Sequence, residues 1–135
     1  MMEFEKVGID GLVLCKPKII EDERGFFFET FRKNLLESFI SKKLDFCQHN
    51  TSKSSFGVLR GLHFQTEPKA QTKLISVSNG EILDVALDIR EDSSTYGKHY
   101  SRFSPKWNST HIMYDFFKSI LHMLCLFNLI VLHYL

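Results

Sequence analysis

The stretch KLISVSNGEILDVALDI, residues 73–89, consists of two alternating runs joined by the dipeptide Asn79-Gly80. Alternation of apolar and polar side chains with a period of two is typical of a half-buried β-strand. Asn-Gly is favoured in two-residue type I′ turns, because both central residues of such a turn need a positive φ. The stretch therefore predicts an antiparallel β-hairpin in a mainly β protein.

The turn also predicts a register for this hairpin. A two-residue turn pairs Ser78 with Glu81 and Ile75 with Asp84, which leaves Lys73 diagonal to Asp84 on an otherwise apolar face. The other face of the second run is predicted to be core, because it carries Leu83, Val85, Leu87 and Ile89. A sheet with a core on one side and a partly charged cavity on the other is typical of a small β-barrel or jelly roll that holds a ligand. Taken alone, Lys73 and Asp84 are also consistent with a structural ion pair on a solvated face.

A second stretch, SSFGVLRGLHFQ at residues 54–65, places an arginine and a histidine in an apolar run. Strict alternation would put Arg60 and His63 on opposite faces of a strand. Both residues can serve one pocket only if the strand bulges, and Gly61 between them would allow a bulge. Without a bulge, His63 is consistent with a hydrogen-bonded core histidine, and Arg60 with an edge-strand charge that hinders aggregation.

The remaining chain up to residue 98 continues the β pattern. Short strands are predicted at LVLC, KII and FFFETF, with a turn at EDERG. Residues 32–44 are predicted to form one short helix, because apolar residues recur there at helical spacing, namely Leu35, Leu36, Phe39 and Ile40. A chain of 135 residues is long enough for one domain with a hydrophobic core.

Composition excludes several classes of function. Lys and Arg number 17 against 16 Asp and Glu, so the chain lacks the basic excess that favours nucleic acid or an anionic membrane. The three cysteines form no CxxC motif, which argues against a disulfide framework or a zinc site and favours a reducing cytoplasm. The N-terminal residues lack the apolar segment of a secretory signal, so export is not expected. The run His63-Phe64-Gln65 offers no second histidine, and neither a metal nor another cofactor is expected.

Four blocks of sequence together resemble one enzyme family, the dTDP-4-dehydrorhamnose 3,5-epimerases, which are metal-independent cupins. The blocks are DERGFFFETF, CQHNTSKSSFGVLRGLHFQ, AQTKLISVSNGEILDVALDIR and SSTYGK, in the order and spacing of the family. The resemblance extends to about Lys98, so residues 1–98 are interpreted as the N-terminal part of an epimerase-type domain. It implies a cupin-type jelly roll. It also implies epimerisation at C3 and C5 of dTDP-4-dehydro-6-deoxyglucose, for the synthesis of dTDP-rhamnose and cell-surface polysaccharide.

The resemblance also implies roles for individual residues. His63 matches the catalytic base, and Lys73 matches the cation beside the sugar ketone. The implied contacts of the nucleotide-sugar substrate are Arg24, Glu29, Gln48, His49, Asn50, Arg60 and Asp84. A homodimer is implied as well, without nucleic-acid or membrane partners. The alternatives are an epimerase or isomerase of another nucleotide-linked ketosugar, and a non-catalytic nucleotide-sugar-binding fragment.

Residues 99–135 depart from this pattern. All seven glycines lie at or before Gly97, and the charged residues after Tyr100 are Arg102, Lys106, Asp115 and Lys118. The segment does not align with the later strands of the family, which bring a histidine, a tyrosine that acts as the opposite-face acid, and an aspartate that orients the base. Three interpretations are open: out-of-frame translation, a membrane anchor at residues 119–135, and a helical replacement for the later strands.

Overall fold

The computed structural model describes residues 2–104, 111–114 and 120–134, with the side chains of residues 2–103. These residues form a mainly β domain with one short helix, α1 (Lys33–Ile40). The strands are β1 (Glu3–Lys6), β2 (Leu12–Lys16), β3 (Ile20–Asp22), β4 (Gly25–Phe27), β5 (His49–Ser54), β6 (Val58–His63), β7 (Lys73–Asp88), β8 (His99–Ser104), β9 (His111–Tyr114) and β10 (Ile120–Tyr134).

Strands β7 and β10 are the centre of an eight-stranded sheet. Strand β10 pairs with β7 along most of its length, and its other edge pairs with β5 and then with β6. The other edge of β7 pairs with β8 and β9, and β9 leads on to β2 and β1. Strands β3 and β4 form a separate two-stranded hairpin. The observed architecture agrees with the predicted mainly β fold with one short helix.

Strands β8, β9 and β10 lie in the segment 99–135, for which a helix was one expectation. The described residues of this segment are strands that pair with β7, so the helical interpretation is wrong for them. The reason is that β7 offers backbone donors and acceptors on both edges, and these are satisfied by extended neighbours. Within the described ranges, the structure contains no helix long and apolar enough to cross a membrane.

Strand β7 is continuous from Lys73 to Asp88, so the predicted hairpin at Asn79-Gly80 is wrong. Gly80 does adopt a positive φ of 89°, but it does so inside the strand. The ladder with β10 shifts its register on both sides of Asn79, which is a β-bulge and not a turn. The cause is long-range, because β10 pairs with both halves of β7, whereas the arms of a hairpin would have to pair with each other.

Because of the same irregularity, Ile75 and Ile82 lie on one face of the sheet, as the predicted hairpin also required. Ile75 and Ile82 stand at odd and even positions of one strand, yet both belong to one core cluster with Ala86. Ser78 is the extra β7 residue in the ladder, between Val77 and Asn79, and this bulge inverts the alternation between Ile75 and Ile82. Their predicted grouping on one face is therefore confirmed, although the predicted pairing of Ile75 with Asp84 is wrong. The other face, predicted to be core, is only half-buried at Leu83, Val85, Leu87 and Ile89.

Strand β2 separates two hydrophobic layers. Leu12 and Leu14 pack with the cluster of Ile75, Ile82 and Ala86, and we call the face of the sheet that carries this cluster the interior face. The alternate residues of β2 pack on the opposite side with Leu36 of helix α1, together with Met2, Leu44 and Leu74. Burial on both sides explains why LVLC is continuously apolar. The helix is shorter than predicted because Ser41 adopts the left-handed conformation, with a φ of 55°.

Candidate active site

Strand β6 contains a bulge at the position that the sequence predicts. His63 pairs with His122 of β10 and Gly61 pairs with the next residue, Met123, so Leu62 is an extra residue on the β6 side of the ladder. Gly61 has a φ of 115°, a conformation that side chains with a Cβ avoid. The predicted distortion at Gly61 is therefore confirmed.

The bulge brings Arg60 and His63 to the same face of the sheet. Arg60 and Asp84 pair with the same residue of β10, one from each edge of that strand. His63 and Ala86 both pair with a second residue of β10 in the same way. Residues that pair across an antiparallel ladder project to the same side, and we call such a set a ladder row. Because Ala86 belongs to the interior core, Arg60, His63 and Asp84 all belong to the interior face.

A buried hydroxyl orients the Arg60 side chain. Arg60 Nε donates a hydrogen bond to Ser54 Oγ at 3.0 Å, and Arg60 Nη2 donates to the same oxygen at 2.9 Å. Ser54 is buried, whereas Arg60 is exposed. One side of the guanidinium is therefore held by the end of β5 while the residue remains accessible to a ligand.

Lys73 and Asp84, two of the buried charged residues of β7, lie on the interior face. Asp84 is 1% exposed and Lys73 is 9% exposed, and Lys73 lies two residues before the core residue Ile75, on the same face of the strand. Burial lowers the pKa of the Lys73 ammonium, because the charged form loses its hydration. Lys73 and Asp84 lie on one continuous strand and not on the facing strands that the sequence predicted. The alternative of an ion pair on a solvated face is wrong, because both residues are buried.

The run from Gln48 to Asn50 lies at the start of β5, which continues into β6 along the same edge of β10. Gln48 Nε2 donates a hydrogen bond to Asn50 Oδ1 at 3.0 Å, and both residues are exposed. Asn50 shares its β10 partner with Ile75, so it belongs to the interior face. His49 shares its β10 partner with Leu74, which packs against helix α1, so His49 belongs to the opposite face.

Arg24 and Glu29 lie apart from the interior face. Arg24 is in the turn of the β3–β4 hairpin, its side chain is 85% exposed, and its Nη2 lies 2.5 Å from Asp22 Oδ2. Hydrogen bonds from the side chain and the backbone N–H of Arg24 lower the pKa of the Asp22 carboxyl. Glu29 Oε2 accepts a hydrogen bond from Arg32 Nε at 2.7 Å beside a cavity of about 320 Å³. The structure therefore does not bring these two predicted contacts together with His63.

Two residues of the interior face were not among the predicted site residues. Ser54 lies in the polar run TSKSS, where only the burial of this hydroxyl distinguishes it. Arg102 pairs with Asp84 across β7 and β8. The alternation in HYSRFS, residues 99–104, would have placed Arg102 on one face with Tyr100, but it contains no information on the neighbouring strand.

The fold defines a jelly-roll domain of the cupin type, and its interior face carries a histidine, a lysine, an aspartate and an arginine. The sequence model of the dTDP-4-dehydrorhamnose 3,5-epimerase family matches residues 6–112. The chain therefore belongs to this family, as its sequence blocks predicted.

Individual relatives agree with this assignment. The dTDP-4-dehydrorhamnose 3,5-epimerase of Shigella flexneri is 48% identical over 97 residues, which are 72% of this chain and 54% of that protein. The chain thus spans about half the length of the curated relatives that it matches.

Solved structures show the same architecture. The dTDP-4-dehydrorhamnose 3,5-epimerase of Bacillus anthracis has a TM-score of 0.90 and 34% identity, over 99% of this chain and 77% of that one. The dTDP-6-deoxy-D-glucose-3,5-epimerase of Legionella pneumophila has a TM-score of 0.90 and 35% identity, over 99% and 71%. The predicted cupin-type jelly roll is confirmed.

Proposed function

We propose that this chain carries the substrate cradle and the catalytic base of a dTDP-4-dehydrorhamnose 3,5-epimerase, which inverts C3 and C5 of dTDP-4-dehydro-6-deoxyglucose. The observation that carries the proposal is the bulge at Gly61, which sets His63 on the interior face with Arg60 and the buried Asp84. Bulges are enriched next to active sites because they re-aim a side chain. Here the bulge turns His63 to the interior face, and a histidine is a side chain that can abstract a proton.

The proposed reaction begins with the protons next to the C4 ketone, which are acidified by the carbonyl. His63 removes one of them as a general base, since imidazole titrates near neutral pH. The electrons of the broken C–H bond form a carbon–carbon double bond, and the carbonyl electrons move to O4 to give an enolate. A water molecule that gives a proton to the opposite side of the carbon inverts it, and the hydroxide that remains takes up the proton held by His63.

Lys73 supplies the positive charge for the enolate oxygen. A fixed cation in a partly dry site stabilises a developing oxyanion by several kcal/mol. Desolvation lowers the pKa of Lys73, because the buried ammonium has lost part of its hydration, and a full negative charge beside it offsets that loss more than a neutral carbonyl does. The interaction is therefore stronger with the enolate than with the neutral ketone, which is the condition for a lower barrier.

Arg60 binds the diphosphate of the substrate through charge-assisted hydrogen bonds, with Gln48 and Asn50 further along the same edge of β10. The similar structures support this choice of ligand. The Bacillus anthracis enzyme was solved with TDP and PPi bound, and the Legionella pneumophila enzyme with dTDP-4-keto-L-rhamnose. A dTDP-linked 4-keto-6-deoxy sugar is therefore the proposed substrate.

A homodimer is part of the proposal. Leu59 and Leu83 pair with the same residue of β10, and Phe103 pairs with Leu83. The three therefore form one apolar row on the face of the sheet opposite the interior face, which we call the outer face. Leu59 is 60% exposed and Phe103 is 48% exposed. Contiguous exposed apolar surface of this kind marks an interface.

Replacing Leu59 and Phe103 by Ser is expected to lower the sedimenting mass. Tyr96→Ser, which changes another exposed aromatic residue, is the control, and a wild-type monomer would contradict the dimer.

The catalytic proposal is tested by exchange of the substrate C3 and C5 protons with deuterated water, followed by NMR. The wild-type chain is expected to exchange them, and His63→Ala is expected to abolish exchange without loss of binding. His99→Ala, on the outer face of β8, is the matched control. Unchanged exchange in His63→Ala would contradict the role of the base. Binding without any exchange would favour the alternative, a non-catalytic nucleotide-sugar-binding fragment.

A further inference from the structure

Strand β8 presents one arginine to the interior face. Tyr100 and Arg102 are half-buried, whereas the residues that alternate with them are exposed. Tyr100 packs against the interior core, and Arg102 pairs directly with Asp84 of β7. Arg102 therefore belongs to the ladder row that contains Asp84 and Arg60.

The Arg102 guanidinium carries a buried donor at Nε. Arg102 Nε is buried and has no hydrogen-bond partner among the residues that the structure describes. A buried donor without an acceptor is unfavourable, and the large majority of such groups in folded proteins bind a protein atom, an ordered water or an ion. This nitrogen therefore indicates a position for an external acceptor.

Of the residues whose side chains the structure describes, the carboxylates of Glu5 and Asp84 lie near Arg102, and neither cancels the positive charge of this region. Glu5 of β1 is close enough for its charge to interact with that of Arg102. It is already held by Lys16, whose Nζ lies 2.5 Å from Glu5 Oε2. Asp84 is one carboxylate in a ladder row with two guanidinium groups, those of Arg60 and Arg102. The row therefore keeps an excess of positive charge and suits an anion.

We propose that Arg102 binds an oxyanion of the phosphate class on the interior face. Only the identity of the natural anion depends on the proposed function. In that function, Arg102 and Arg60 together bind the diphosphate of the substrate with two guanidinium groups. A guanidinium binds phosphate through two parallel N–H donors. Nε and Nη2 of Arg60 donate to Ser54, whereas Nε of Arg102 has no acceptor among the described residues. The two arginines therefore offer the anion different edges of their guanidinium groups.

Inorganic pyrophosphate is the probe, because it carries the oxyanions without sugar or base. In calorimetric titration the wild-type chain is expected to bind it, and Arg102→Gln is expected to weaken binding about tenfold or more. Arg102→Lys is expected to weaken binding as well, because an ammonium keeps the charge but lacks the planar fork. Lys6→Gln removes the same charge from an exposed position of β1 and is the matched control, with an unchanged affinity expected.

Thermal melting separates anion binding from a purely structural role. Because Arg102 Nε has no acceptor in the described part of the chain, Arg102→Gln is expected to melt no lower than the wild type without pyrophosphate. It is also expected to lose the upward shift that the bound anion gives the wild type. A lower melting temperature with an unchanged pyrophosphate affinity would show that Arg102 only neutralises Asp84, and would overturn the proposal.

The two proposals fail separately. Pyrophosphate binding that depends on Arg102, in a chain that does not exchange the C3 and C5 protons, would support the anion site and contradict the proposed function. Proton exchange together with a pyrophosphate affinity that is independent of Arg102 would do the reverse. A wild-type chain that binds no pyrophosphate would overturn the role of Arg102.

Discussion

Arg60 and His63 project to the same face of β6, although an unbroken strand would place them on opposite faces. Leu62 is the extra residue in the ladder with β10, and Gly61 supplies the backbone conformation, with a φ of 115°. Ser54 then holds the guanidinium through two hydrogen bonds. The position of the proposed base relative to the proposed anion-binding arginine therefore depends on one glycine.

Gly61→Ala is expected to lower both the stability of the chain and its proton exchange. A Cβ at a φ of 115° is strained, and such strain costs about 1–3 kcal/mol. Urea unfolding measures the loss of stability, and NMR measures exchange at C3 and C5. Gly8→Ala is the control, because Gly8 has no positive φ and a Cβ there would meet nothing within 4 Å. Full exchange in Gly61→Ala would show that the site does not need this bulge.

Ser54→Ala is expected to weaken substrate binding more than it weakens folding. It removes the acceptor of two hydrogen bonds from Arg60, so the guanidinium loses its fixed direction towards the diphosphate. A loss of about 1.5–3 kcal/mol is expected in binding of the dTDP-sugar, as for hydrogen bonds to a charged group. Calorimetric titration measures it. Ser55→Ala changes the exposed neighbour and should bind like the wild type, and equal losses in both variants would contradict the role of Ser54.

The rate of proton exchange is expected to fall at high pH as the Lys73 ammonium loses its proton. Burial lowers its pKa from the ordinary value of 10.5, so the midpoint of this fall should lie below 10.5. In Lys73→Arg the fall should move to higher pH, since a guanidinium stays protonated. A pH profile of exchange for both proteins checks this. An identical alkaline fall in wild type and Lys73→Arg would contradict the proposed role of the ammonium.

Asp88 is expected to govern stability in acid. This buried residue at the end of β7 accepts hydrogen bonds of 2.6 Å from Ser93 Oγ and Thr95 Oγ1, and one of 2.8 Å from Arg90 Nε. Burial by itself raises the pKa of Asp88, but these hydrogen bonds outweigh it and hold the pKa well below 3.8. A carboxyl whose pKa is lower in the folded state stabilises the fold above its unfolded pKa. That stability is lost as the pH falls from about 4.

Asp88→Asn is expected to cost about 3–5 kcal/mol at neutral pH, because it leaves the Arg90 charge without its carboxylate. The variant should also lose much of the decline of stability with pH below about 4. Urea unfolding between neutral and acid pH measures both effects. Asp92→Asn, at an exposed position of the following loop, is the matched control and should behave like the wild type. A wild-type acid profile in Asp88→Asn would contradict this account.

Features that depend on neighbours along the chain were predictable from the sequence. The alternation in residues 73–89 was sufficient to predict strands, and the apolar spacing in residues 32–44 was sufficient to predict helix α1. The bulge at Gly61 was predictable because only a glycine between Arg60 and His63 permits the required φ. The motif blocks also identified the family, since they combine residue types and spacings that a general β pattern does not require.

Features that depend on which strands meet were decided by the tertiary structure. Asn79-Gly80 has the local chemistry of a turn, but β10 pairs with β7 on both sides of it and keeps the strand extended. Leu83 is only half-buried, because the interior cluster forms on the opposite side of the same strand. The pairing of Arg102 with Asp84 likewise depends on β8 lying beside β7. A backbone edge offers the same donors and acceptors whatever its side chains, so the choice of partner strand is made by the whole fold and not by local sequence.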